Sequence, residues 1–106
     1  MLRKDTEFLR ATCSQEIRCI LQPENDGQEG TVRRVQVLVP LDPKTLISLE
    51  PDADRVFGTD RLYKMSVAPP GAAIVLWLRP NQSIYACAYS GTSELTITVE
   101  YHDQFR

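Results

Sequence analysis

Glu94-Leu95-Thr96-Ile97-Thr98-Val99-Glu100-Tyr101 is the stretch that decides the fold class. Every second residue is apolar and its neighbours are polar, the period of a β-strand with one dry and one wet face. Successive side chains of a strand alternate sides. Leu95, Ile97, Val99 and Tyr101 therefore share the core face, and Glu94, Thr96, Thr98 and Glu100 are left to water.

The same grammar extends upstream. Ser83-Ile84-Tyr85-Ala86-Cys87-Ala88-Tyr89 is rich in β-formers. Ser90-Gly91-Thr92 has the composition of a hairpin loop, so a carboxy-terminal hairpin is expected. Ala72 to Arg79 is apolar on both faces, with Ile74, Leu76 and Leu78 on one side and Ala73, Val75 and Trp77 on the other. A strand so patterned is central in its sheet or covered by a partner. Thr31 to Val39 aligns Val35, Val37 and Val39, while Arg33 and Arg34 argue for an exposed start. Glu16 to Gln22 brings Ile17, Cys19 and Leu21 to one face, and Thr45 to Leu49 and Arg61 to Val67 read as further strands. Thr6 to Thr12 fits either a turn of amphipathic helix or the first strand. Pro69-Pro70-Gly71 forces a turn, and the acidic Pro23 to Gly30 segment reads as a solvated loop. About seven to eight strands, with turn signals every ~8–12 residues, predict an all-β fold. The expected architecture is a single antiparallel β-sandwich over residues 1–106, jelly-roll-like or immunoglobulin-like, with 1–6 and 103–106 as extended arms.

Composition narrows the function. The 106 residues, 42% hydrophobic and 25% charged, suit one globular domain. Twelve basic against fourteen acidic residues give a net charge of -2, which argues against nucleic acid as a partner. The longest apolar run, Ala72 to Leu78, is far shorter than the roughly 20 residues of a membrane helix. The amino terminus lacks the apolar region of a secretory signal, so synthesis in the cytoplasm is expected.

Candidate chemistry is sparse. Cys13, Cys19 and Cys87 show no C-x-x-C spacing and read as free, buried thiols; a Cys13–Cys19 disulfide would not persist in a reducing compartment. His102, the one histidine, is expected after the last strand, beside Asp103, as an exposed terminal histidine without a nucleophile motif around it. Asp52-Ala53-Asp54 with Asp60 lacks the further ligands of a calcium loop. Gly27 and Gly30 lack the lysine and helix of a phosphate cradle. No catalytic, metal or cofactor residue is therefore assigned. The aromatic residues carry more information. If the Leu95 face is core, the strand before it has no wet face, and that apolar surplus predicts burial by a second subunit or a partner. Val75, Trp77, Tyr85, Cys87 and Tyr89 are the candidate protein interface, which predicts a homo-oligomer.

The carboxy-terminal half also carries a resemblance. Arg55-Val56-Phe57-Gly58, Ala68-Pro69-Pro70-Gly71, Leu78-Arg79-Pro80-Asn81-Gln82-Ser83-Ile84-Tyr85-Ala86 and Leu95 to Tyr101 together resemble small β-sandwich virion proteins of tailed bacteriophages. Asn81 stands where the usual Pro-Gly pair has glycine, and asparagine also tolerates positive φ. The resemblance implies a non-enzymatic structural protein of the virion. It would act as a capsid cement or decoration protein bound to the major capsid protein lattice, and the family analogy points to a trimer. Other virion roles (head fibre, neck or tail) are the alternative within that class. A cellular β-sandwich adaptor or carbohydrate-binding module is the alternative outside it.

Overall fold

The computed structural model describes residues 6–23, 31–55 and 61–103. The loop at 24–30, Asp60, the Val56-Phe57-Gly58 part of the resemblance and nearly all of both expected arms lie outside the described residues.

The alternating carboxy-terminal stretch is the middle of β10 (Ser93–Asp103), which lies between β1 (Thr6–Cys13) and β3 (Thr31–Leu38) and is antiparallel to both. Beyond β3 comes β8 (Ala73–Leu78), completing a sheet of order β1-β10-β3-β8. A second antiparallel sheet has the order β2-β9-β4-β7, from β2 (Arg18–Leu21), β9 (Ile84–Ala88), β4 (Thr45–Ser48) and β7 (Ser66–Ala68). A two-stranded ribbon pairs β5 (Asp54–Arg55) with β6 (Leu62–Tyr63). Among the eight strands of the larger sheets, chain order alternates between sheets at every step except β4 to β7. That connectivity is the double-sheet jelly roll, so the fold is an all-β antiparallel sandwich of the first of the two expected topologies.

Alternation fills the space between the sheets. Leu95, Ile97 and Val99 of β10 pack with Val35 and Val37 of β3, Leu78 of β8, and Ile84 and Ala86 of β9. Thr45 Oγ1 donates to Ser93 Oγ at 3.2 Å, tying β4 of one sheet to β10 of the other within the core. Arg33, which the sequence places at an exposed strand end, is buried. Its side chain shares the inward parity of Val35 and Val37, and its guanidinium donates to the carbonyls of Gln22 and Gln82, both at 2.9 Å. A buried charge is tolerated when its donors are used this way. The arginine thus joins the chain after β2 to the turn before β9.

Of the two readings open for Thr6 to Thr12, the first strand is the one formed, as Thr6–Cys13. Four expectations are corrected. His102 does not follow the last strand but lies within β10, paired with Val32 of β3. The expected hairpin is absent: β9 and β10 lie in different sheets, and Ser90-Gly91-Thr92, with Gly91 at φ 61°, crosses between them. Turn composition reports that the chain reverses, not which sheet it returns to. In Glu16–Gln22, only Arg18–Leu21 is strand, and a register shift between Cys19 and Leu21 breaks the alternation. As a result Leu21 joins the inter-sheet core, whereas Ile17 packs on the other side of the second sheet. Finally, Arg61–Val67 is divided by Lys64, whose φ of 58° is left-handed, into β6 and β7.

The face assignment is tested by substitution on neighbouring residues of one strand. Ile97→Ala is expected to lower unfolding free energy by about 2–5 kcal/mol in urea titration, and Thr98→Ala by less than about 0.5 kcal/mol. Arg33→Met should cost about 1.5–3 kcal/mol, because two carbonyls lose a charged donor.

Candidate functional site

The five residues marked from sequence do not form one patch. Val75 and Trp77 lie on β8, at the edge of the first sheet, whereas Tyr85 and Cys87 lie on β9, in the middle of the second, with Tyr89 just beyond it. Their environments differ accordingly. Val75 is 42% and Trp77 57% exposed, Tyr85 and Tyr89 are half-buried, and Cys87 is completely buried.

The apolar surplus of β9 is covered by this chain itself. The side of β9 that faces away from the inter-sheet core presents Cys87, which packs with Leu46 of β4 and Met65, flanked by Ile17, Ala53 and Leu62. These residues bring the β5–β6 ribbon down over the second sheet. Arg55 fastens it by donating to the carbonyls of Ala88, at 2.7 Å, and Tyr89, with its guanidinium 4.6 Å from the Tyr89 ring centroid. Lys64 and Asp52 close the other end with a 2.7 Å ion pair, which lowers the Asp52 pKa and raises that of Lys64. Cys87 is therefore corrected from interface to interior. The face count behind its assignment assumed a β9–β10 hairpin that does not form.

On β8 the situation is the reverse. Among the described residues the strand is not central: β3 pairs with one side of it, and within its sheet the other side is unpaired. Its inward residues Ile74, Leu76 and Leu78 pack on the core, leaving Ala73, Val75 and Trp77 on the outer face. Cross-strand register sets their neighbours. Ala73 stands opposite Leu38 of β3, Val75 opposite Gln36 and Trp77 opposite Arg34. Leu38 is 49% exposed, so Leu38, Ala73, Val75 and Trp77 make one apolar strip along the sheet margin. Leu38 and Ala73 were missed from sequence. The available signal was Leu38 itself, an apolar residue at the end of the outward series that includes Arg34 and Gln36. The strip is bounded by polar side chains, with Arg34 3.8 Å from Glu100 and His102 3.3 Å from the same carboxylate. The His102 ring also lies against Trp77, with centroids 5.3 Å apart. Phe8, exposed on β1, occupies the same cross-strand row as Val75, but Thr98 and Gln36 stand between them.

The remaining candidates are structural in their surroundings. Asp54 accepts from the Arg55 backbone N–H at 2.7 Å. Among the described residues, no group of three or more His, Cys, Asp or Glu side chains is placed to hold a metal ion. The three cysteines are free thiols; burial raises the pKa of both Cys13 and Cys87, partly offset by Arg18 and Arg55 respectively. Cys19, at the bulge of edge strand β2, is half-exposed and directs its Sγ to the Leu21 carbonyl at 3.2 Å. A groove of about 380 Å³ runs beside it, between β2 and the β5 segment, lined in part by Arg18, Cys19, Arg55 and Tyr85.

No protein-family model matches the chain, and no curated protein matches it. Among solved structures, the chain is similar to one from Bacillus endospore appendages, which are described as "a novel family of disulfide-linked pili". The two superpose with a TM-score of 0.57 at 13% sequence identity, over 93% of this chain and 85% of that one. At that identity the likeness is one of fold: a β-rich chain with the same overall arrangement.

Proposed function

We propose that this chain is a non-enzymatic structural subunit that works by associating with other structural proteins, and that it decorates or cements the capsid of a tailed-phage virion. The observation that carries the reading is the strip of Leu38, Ala73, Val75 and Trp77 on the outer margin of the first sheet. Four apolar side chains on two rigid strands, rimmed by Arg34, Glu100 and His102, have the composition of an interface centre with its polar border. Tryptophan at such a centre is the residue type that most often dominates binding energy. A decoration protein stabilises a shell by binding the assembled lattice better than free subunits, which asks for a compact scaffold presenting one fixed face. The jelly roll supplies that scaffold. The motifs carrying the virion resemblance fall on its turns and closing strand: Ala68 to Gly71 precedes β8, Leu78 to Ala86 links β8 to β9, and Leu95 to Tyr101 lies within β10.

The fold likeness to a pilus chain favours a second reading, in which copies of this chain polymerise with one another. Both readings are association, and they differ in the partner. Electron microscopy of the purified protein separates them: filaments indicate a polymer, whereas discrete particles that bind purified empty phage shells saturably indicate decoration. Absence of both filaments and saturable shell binding would reject the two together. Under the decoration reading, Trp77→Lys should weaken shell binding about 30-fold or more, the equivalent of at least ~2 kcal/mol, without lowering thermal stability.

Thiol titration supplies an independent check on how copies could be joined. Cys13 and Cys87 are fully buried and Cys19 is half-exposed. In the native protein at pH 8, a thiol reagent should label Cys19 first, and label Cys13 and Cys87 only at the rate of unfolding. Rapid labelling of all three would contradict the burial described above.

A further inference from the structure

Among the described residues, the two four-stranded sheets present four edge strands, and three of these edges are defended. On β1, Glu7 has the inward parity of Leu9 and Ala11, and its carboxylate accepts from the Tyr101 hydroxyl, so an inward-pointing charge guards that edge. β2 is four residues long, begins with Arg18 and is broken by the register shift after Cys19. β7 is three residues long and runs into Pro69-Pro70. Short strands, bulges, prolines and inward charges are the devices by which proteins keep sheet edges from pairing. β8 has none of them. Its six residues, Ala-Ile-Val-Leu-Trp-Leu, contain no charge, proline or glycine, and its register with β3 is unbroken from Arg33↔Leu78 to Leu38↔Ala73.

The backbone shows which residues face outward at this edge. Val39 N–H donates to the Ala72 carbonyl at 2.9 Å, immediately before the first pair of the ladder. In an antiparallel ladder, hydrogen-bonded and non-bonded pairs alternate, so Ile74, Leu76 and Leu78 bond to β3. Ala73, Val75 and Trp77 then aim N–H and C=O away from the sheet. The same three residues carry the exposed apolar side chains, so one edge is both an open hydrogen-bonding ladder and an apolar surface. Its matching partner is a strand with no charge and with a small residue opposite Trp77.

β8 meets that description itself. Resting on the association reading above, we propose that β8 pairs antiparallel with β8 of a second copy about a two-fold axis at Val75. Val75 then faces Val75, and each Trp77 faces Ala73 of the other copy, large against small. Three hydrogen-bonded pairs supply six backbone hydrogen bonds, and the two four-stranded sheets become one of eight. On the inward side, Leu76 of the second copy falls opposite Ile74, near a groove of about 300 Å³ lined by Ile47, Leu49 and Leu76 together with the polar Ser48, Glu50, Lys64 and Ser66. With a net charge of -2, two copies repel only weakly. An edge this short buries less than the roughly 1,200 Å² of a stable standard interface, so the pairing is a weak contact, strengthened when copies are held side by side on a shared support. On the outer face, pairing merges two apolar strips into one patch.

Val75→Cys in a Cys19→Ser background tests the axis. Opposed residues of a hydrogen-bonded antiparallel pair have Cα atoms about 5.5 Å apart, within disulfide range. At about 100 μM under mild oxidation this variant should form a covalent dimer at least tenfold faster than Thr96→Cys, an exposed control on the middle strand of the same face. Equal rates would overturn the pairing. Val75→Pro removes an N–H that faces away from β3 and is compatible with an edge strand. It should abolish the monomer–dimer equilibrium of the otherwise unmodified protein in sedimentation while retaining a cooperative thermal transition; Val75→Lys serves the same purpose if the proline variant does not fold. A dimer that persists in the folded variant also overturns the pairing. If the pairing fails but shells still bind through Trp77, the two-fold contact is wrong and the association reading stands. If neither copies nor shells bind, both are wrong.

Discussion

The dry face of β10 is the constraint on which the rest of the structure depends. Leu95, Ile97 and Val99 form the centre of the inter-sheet core, and the same strand is the only one bonded on both sides within the first sheet besides β3. Shifting β10 by one residue would turn Glu94, Thr96, Thr98 and Glu100 inward and remove the core from both sheets at once. Its register therefore fixes those of β1 and β3, and through β3 that of β8. The position of Trp77 on the outer surface follows from this chain of pairings, from β10 through β3 to β8, and not from any local preference of the residues around it.

Sequence periodicity reported faces well and partners poorly. The inward sets of β3, β8 and β10 were legible because period-2 alternation is a local property, written in consecutive residues. Whether β9 returns to β10 or crosses to the opposite sheet depends on residues far away in sequence, since the strands beside β9 are β2 and β4, where even the pair nearest in sequence is Ser48↔Tyr85. Ser90-Gly91-Thr92 suits either path. The assignment of Cys87 failed for the same reason: its cover comes from Leu46 and Met65, distant in sequence and unmarked by any pattern. Arg33 was misread because a charged residue on the apolar face of a strand is normally a sign of exposure. Here the carbonyls of Gln22 and Gln82 satisfy it, and they come from loops whose convergence no local rule describes.

β8 illustrates a different limit. An uncharged strand with two apolar faces has the pattern of a central strand, and in the isolated chain it is an edge. Pattern and position disagree, and the disagreement is informative because the other three edges are guarded in the usual ways. An apolar, regular and unguarded edge carries a standing risk of indiscriminate pairing. Among β1, β2, β7 and β8, only β8 combines that backbone with exposed Val75 and Trp77; exposed apolar side chains on other edges, such as Phe8 on β1 and Val67 on β7, stand on strands that are guarded.

The outer side of the second sheet is different. Without the ribbon of β5 and β6, the outer side of β9 and β4 would expose Cys87 and Leu46. Arg55, by binding the Ala88 and Tyr89 carbonyls, and the Lys64–Asp52 ion pair hold the ribbon in place. These contacts lie on the sheet opposite the β8 strip. The outer face of the second sheet is thus covered by a segment of the same chain, whereas Leu38, Val75 and Trp77 on the first sheet stay exposed, because no strand or ribbon among the described residues crosses them.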